Sequence, residues 1–167
     1  MHKFIKKQIS SMEKATFGAG CFWHVEDSFV KVNGVKSAIV GYMGGSLKNP
    51  TYEEICTGMT GHTEVVHVEY DPSKVSYEVL LDAFWSMHDP TTMNRQGPDV
   101  GTQYRSVIFV YNKDQGHVAR ASKIKLQASG KYKRDVVTAI EPASELYKAE
   151  EYHQQYYEKQ RCLRIQY

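Results

Sequence analysis

Three features of this sequence could do chemistry together. They are Cys21, with the aromatic pair Phe22-Trp23 directly behind it; Glu64, set in the apolar run Thr63 to Tyr70; and a second cysteine near the chain end, Cys162. Cys21 is the first to weigh. Lys14 to Gly18 reads as a short strand, and Phe22, Val25, Phe29 and Val32 recur at helical spacing. Cys21 therefore falls where a strand ends and a helix begins, and Gly20 lets the chain turn tightly there. Unpaired N–H groups and the positive end of the helix dipole favour a thiolate at such a place. Lowering a thiol from about 8.5 to about 7 would make roughly half of it nucleophile at neutral pH. The other reading is a buried cysteine acting as a small hydrophobe.

Glu64 raises a similar choice. Strand alternation puts it on the same face as Val66 and Val68. If those valines face the core, so does a carboxyl group, and burial keeps it protonated and able to donate. If Val65 marks the inner face instead, Glu64 is an ordinary surface charge. His62 and His67 look at first like a zinc-protease pair, but they are five apart on a strand. That motif needs histidines four apart on one helical face, so no metal is expected.

The elements that must position these groups can be read in outline. The expectation is one domain over residues 1–167, with a frayed lead at 1–12 and a mobile tail from about 160 carrying Cys162. After the first helix come a strand, Val35 to Tyr42; a Gly-rich loop to Pro50; and a helical turn, Tyr52 to Cys56, capped by Thr51. Thr63 to Tyr70 is a strand. Ser76 caps a helix with inner face Val79, Leu80, Ala83, Phe84 and Met87, and Trp85 is read as packing. Thr91 to Gln103 is a long polar loop, a kind that is often functional. Tyr104 to Tyr111 is a strand. A helix from Asp114 carries Val118, Ala121, Ile124 and Ala128. Val136 to Ile140 is a strand, and a last helix capped by Ser144 carries Tyr147, Tyr152, His153, Tyr156 and Tyr157. This mixture predicts an α+β fold, a two-layer sandwich around a mixed sheet.

Composition narrows the function classes. A net charge of +2 with both signs interspersed gives no sign of a nucleic-acid surface. No apolar run is long enough to cross a membrane. The basic N-terminus lacks the apolar segment of a secretory signal. The cysteines, Cys21, Cys56 and Cys162, are odd in number and widely spaced, which does not suit a disulfide framework. A reducing cytoplasm is the expected compartment.

Several stretches together resemble a known family. They are Gly20-Cys21-Phe22-Trp23; Asn49-Pro50-Thr51-Tyr52; Gly61-His62-Thr63-Glu64-Val65-Val66; His88-Asp89-Pro90-Thr91; and Arg95 to Ser106. In this order, over about Ala15 to Tyr157, they are similar to the peptide methionine sulfoxide reductase A family. The resemblance implies a sandwich with a ferredoxin-like core and reduction of methionine-S-sulfoxide, free or in proteins. It implies that Cys21 attacks the sulfoxide sulfur, that Glu64 protonates the departing oxygen, and that Tyr52 and Tyr104 hydrogen-bond that oxygen. Phe22 and Trp23 would enclose the substrate methyl group, Asp99 would help fix the substrate, and His153 would neighbour the site.

The chemistry agrees, because a sulfoxide oxygen leaves readily only once protonated. The resulting sulfenic acid condenses with a second thiol. Thioredoxin or another dithiol would then restore the enzyme, with no metal or organic cofactor, and a monomer is expected. Two departures stand out. His24 occupies a position where the family usually has glycine, and the Gly-rich tail that carries resolving cysteines in many relatives is absent. Cys162 is the expected resolving thiol. Cys56, read as packed on its helical turn, and an external thiol are the rivals. Two other functions compete: an aromatic cage for a methylated ammonium built from Phe22, Trp23, Tyr52 and Tyr104, and a thiol peroxidase.

Overall fold

The structure is a computed structural model and describes residues 11–166. Most of the expected lead, residues 1–12, lies outside them. The chain opens with β1 (Glu13–Ala19), α1 (Phe22–Val30), β2 (Val35–Met43), α2 (Tyr52–Cys56), β3 (Thr63–Tyr70) and α3 (Tyr77–Ser86). It continues with the short pair β4 (Arg95–Gln96) and β5 (Asp99–Val100), then β6 (Ser106–Val110) and α4 (Lys113–Ala128). It closes with β7 (Ala139–Pro142), β8 (Tyr147–Lys148) and α5 (Tyr156–Ile165).

Six strands form one sheet in the order β7-β6-β1-β3-β2-β8. The β6–β7 pair is parallel and the other pairs are antiparallel. The sheet is therefore mixed, as the sequence suggested. β1-α1-β2 is a split crossover, with β3 lying between its two strands. Helices α1 and α3 pack on one face over Phe17, Val66, Val68 and Ile108. Phe17 stacks between Phe29 and Phe84, with ring centroids 5.1 and 5.2 Å away. Each such buried ring contributes about 2–3 kcal/mol. The opposite face is covered more thinly: Met43, Val65, Val107 and Phe109 form a second cluster beneath Ala143 and Leu146. β3 is thus buried on both sides, so the choice between the Val65 face and the Val66 face disappears.

Several boundaries differ from expectation. Val79 and Ile124 are exposed, because α3 turns Tyr77, Leu81 and Trp85 inward and α4 turns Gln115, Gly116 and Ala119 inward. Trp85 is packing, its Nε1 donating to Ser122 Oγ at 2.7 Å. The polar loop is not structureless, since it folds back as β4–β5. No helix starts at Ser144. Tyr147 instead pairs with Tyr42 in the sheet, and the last helix begins at Tyr156. Residues 160 to 165 are helical, so Cys162 lies on α5 and not in an irregular tail.

Candidate active site

Strand register brings the site together at one end of the sheet. Ala19 lies opposite Ser106, and Tyr42 opposite Glu64. Phe17 lies opposite Val66, and two steps further this register sets Ala19 beside Glu64. Cys21 follows Ala19 by two residues, and Tyr104 precedes Ser106 by two. Nucleophile, acid and tyrosine therefore meet just beyond the strand ends because pairing fixes them there.

Gly20 makes the turn with φ +90°. A Cβ at Gly20 would come within 2.8 Å of Gln96 side-chain carbons. Gln96 is itself clamped, its Oε1 accepting from Asp89 N at 2.9 Å and its Nε2 donating to Asp89 O at 2.8 Å. This holds the β4–β5 hairpin, and Asp99 on it, against the nucleophile. Sequence reasoning missed Gln96; its only signal was its place in the long polar loop.

Cys21 is the N-cap residue of α1 and is half-buried. Two effects compete over the ionisation of the Cys21 thiol. Burial pushes the Cys21 thiol up to about 11, a value that includes the push of Asp99 and that of Glu64 once ionised. The amides of Trp23 and His24 pull the other way without prevailing. Desolvation thus outweighs the helix terminus.

Glu64 is 2% exposed. Its Oε1 accepts from the Phe22 N–H at 3.3 Å, while its Oε2 is buried with no partner. Burial raises its carboxyl to about 8; the Phe22 amide lowers it, and Asp99 raises it further. At pH 7 Glu64 is mostly the neutral acid. The burial that the sequence offered as one of two readings is the one the fold adopts.

Around these two lie the aromatics. Phe22 is buried and Trp23 half-buried. Trp23 stacks on Tyr156 at 3.9 Å, and its Nε1 donates to His153 Nδ1 at 3.0 Å. His153 is buried against Phe22 and Tyr52, and its Nε2 has no partner. Tyr52 opens α2, where Thr51 and Glu54 form a reciprocal cap. Burial, with Glu64 and Asp99 nearby, raises the Tyr104 hydroxyl to about 12, and burial also raises that of Tyr52, so both remain donors.

Glu150, another residue the sequence did not single out, ties this wall together. Its Oε1 accepts from Tyr42 Oη at 3.1 Å and its Oε2 from Tyr52 N at 3.1 Å. Cys56 is exposed, so its reading as a packed residue is corrected. Cys162 is also exposed, its Sγ 3.9 Å from Glu158 Oε1. His62 has both ring nitrogens engaged, Nδ1 by Gly45 N and Nε2 by Leu47 O.

Comparison with known proteins points the same way. The family model for peptide methionine sulfoxide reductase matches residues 13–167. The chain is 64% identical over 151 residues to the peptide methionine sulfoxide reductase MsrA of Methanothermobacter thermautotrophicus, covering 90% of this chain and 89% of that one. It is 59% identical over 150 residues to the MsrA of Geobacter sulfurreducens, covering 90% and 93%. Its fold is similar to Mxr1 from Saccharomyces cerevisiae in reduced form, with TM-score 0.85, 35% identity and 95% and 91% of the two chains covered. It is also similar to Mxr1 in complex with Trx2, with TM-score 0.63, 27% identity and coverage of 93% and 92%. With family model, relatives and fold all agreeing over nearly its whole length, the chain belongs to the peptide methionine sulfoxide reductase family.

Proposed function

We propose that this chain reduces the S epimer of methionine sulfoxide, free or in peptides and proteins, to methionine. The observation that carries the reading is Glu64, a carboxyl group buried beside Cys21, with one oxygen accepting from the Phe22 N–H and the other free of any partner, a setting that pushes it up to about 8. A sulfoxide needs such a group, since its oxygen leaves only as protonation offsets the developing charge.

In the proposed reaction Cys21 Sγ attacks the sulfoxide sulfur while Glu64 passes its proton to the oxygen. The Cys21 thiol, protonated at rest, gives its own proton to Glu64, so the acid ends as it began. The S–S bond so formed then breaks as the hydroxyl passes from the substrate sulfur to Cys21, leaving a Cys21 sulfenic acid and releasing methionine. The substrate sulfur gains the two electrons that Cys21 loses. Tyr52 and Tyr104 donate hydrogen bonds to the oxygen. Phe22 and Trp23 take the S-methyl group, with His153 fixing the plane of Trp23. Asp99 helps fix the substrate backbone.

A second thiol of the chain then condenses with the sulfenic acid, losing water. Thioredoxin or a similar dithiol reduces the disulfide. Thiol chemistry alone balances this cycle. The complex of Mxr1 with Trx2 supports a protein partner for regeneration. Among the described residues, no helix is long and apolar enough to cross a membrane.

The test is methionine released from one equivalent of each epimer without reductant. The S epimer should give about one methionine per enzyme, and the R epimer or Cys21→Ser none. Release by Cys21→Ser, or equal use of both epimers, would refute the reading.

A further inference from the structure

We infer that Cys56, on the rim formed by Tyr52 and Tyr104, is the thiol that resolves the Cys21 sulfenic acid, forming a Cys21–Cys56 disulfide. The inference rests on the function proposed above and identifies its second half-reaction. It departs from the expectation that Cys162 fills this role.

Three contacts hold Cys162 away from Cys21. Helix α5 meets α1 at Trp23, where Tyr156 stacks at 3.9 Å. By Arg161 it has reached Asp27, whose Oδ1 accepts from Arg161 Nη2 at 2.6 Å. Asp27 lies about 9 Å of helix rise beyond Cys21. Cys162, the next residue, therefore stands beside the middle of α1, not its start. A disulfide needs its two Cα atoms within about 7 Å. Bringing Cys162 to Cys21 means detaching α5 from Trp23, from Asp27 and from Glu26, whose Oε1 accepts the Gln155 N–H at 2.7 Å.

Cys56 is held on the side of the site where Tyr52 and Tyr104 lie. It lies one helical turn beyond Tyr52, so the two share a face of α2. Just past it, Gly58 O accepts from Thr102 Oγ1 at 3.3 Å, two residues before Tyr104. The end of α2 is thus fastened to the segment that carries Tyr104, which register sets across from Cys21. The electrostatics agree: Cys56 is among the groups that raise the Tyr52 hydroxyl, and Cys56 and Cys21 are both among those that raise the Tyr104 hydroxyl. Cys56 is exposed and is the last residue of a five-residue helix, followed by Gly58 at φ +72°. Closing on Cys21 would loosen this terminal turn, and helix ends open at little cost.

The step balances. Cys56 sulfur attacks Cys21 sulfur, the S–O bond breaks, and the hydroxyl leaves as water with the Cys56 proton. Cys56 is oxidised and Cys21 reduced. The disulfide then sits at the rim, open to an external dithiol.

The experiment treats the enzyme with one equivalent of methionine-S-sulfoxide, blocks free thiols and maps disulfide-linked peptides by mass spectrometry. A Cys21–Cys56 link is expected in the wild-type chain and again in Cys162→Ser. Cys56→Ser should still release about one methionine, which reports an intact fold. It should accumulate a dimedone-reactive Cys21 and lose thioredoxin-driven turnover at least tenfold. A Cys21–Cys162 link in the wild type, or undiminished turnover by Cys56→Ser, would overturn the inference. Failure of the wild type to release methionine would instead overturn the parent reading, and this one with it.

Discussion

Replacing Glu64 with glutamine keeps the shape of the side chain and an acceptor for the Phe22 N–H, but leaves no proton to give. The expected loss follows from the site. With a pKa of about 8, Glu64 is protonated about ten to one at pH 7. A carboxyl left at its ordinary 4.5 would be protonated in about one molecule in 300. Burial thus supplies a few-hundred-fold gain in the acid form, within the roughly 10²–10⁴ that a positioned general acid contributes. Glu64→Gln should slow methionine release in a rapid-quench single turnover by that range, with little change in substrate binding. Wild-type release should fall above about pH 8 as the acid ionises, and this limb should vanish in the variant. An unchanged rate in Glu64→Gln would refute the assignment. A wild-type rate that rose through pH 8 would refute the order of proton transfers, since the pair would then work with a single proton.

The same burial has a cost in stability. Because folding raises the Glu64 carboxyl from 4.5 to about 8, its contribution is fully present below pH 4.5 and is lost as pH rises through about 8. This corresponds to about 5 kcal/mol at most. Glu64→Gln should therefore unfold at a higher temperature than wild type at pH 9 and lose that advantage near pH 4, as calorimetry at the two pH values would show. Trp23→Phe keeps a ring against Tyr156 but leaves His153 Nδ1 without its donor, which costs about 1 kcal/mol. Steady-state kinetics should show a several-fold higher KM for the sulfoxide with kcat largely retained; a kcat loss at unchanged KM would count against the positioning role.

Much of the site was legible because its signals are local. Cys21 lies between a period-two and a period-3.6 pattern, and Glu64 shares a face with two valines. Both signals survive folding unchanged. The thiol's ionisation stayed open at the level of sequence because it is a balance: the helix terminus can be read from sequence, but the depth of burial cannot. The chain end was misread for a different reason. Residues 147 to 155 carry enough tyrosine to mimic an amphipathic helix, yet distant partners claim them. Ala149 N donates to Val40 O, and the Gln154 side chain bonds Val40 N and O. These contacts span more than a hundred residues and leave no trace in local spacing. Cys56 was taken as packed because its helical turn is short, and which side of so brief a helix faces inward depends on what it docks against.

The close fit of Gln96 over Gly20 has an evolutionary corollary. The two positions are sterically coupled, since a methyl group at residue 20 would claim space that Gln96 carbons already fill. Any lineage that enlarged the first would have to shrink the second. Doing so would unfasten the hairpin from Asp89 and release Asp99 from its station. Drift at either place is therefore penalised twice, once in the backbone turn and once in the substrate wall. The tightness of the turn before the nucleophile is best understood as the joint that registers two separately folded segments to one sulfur.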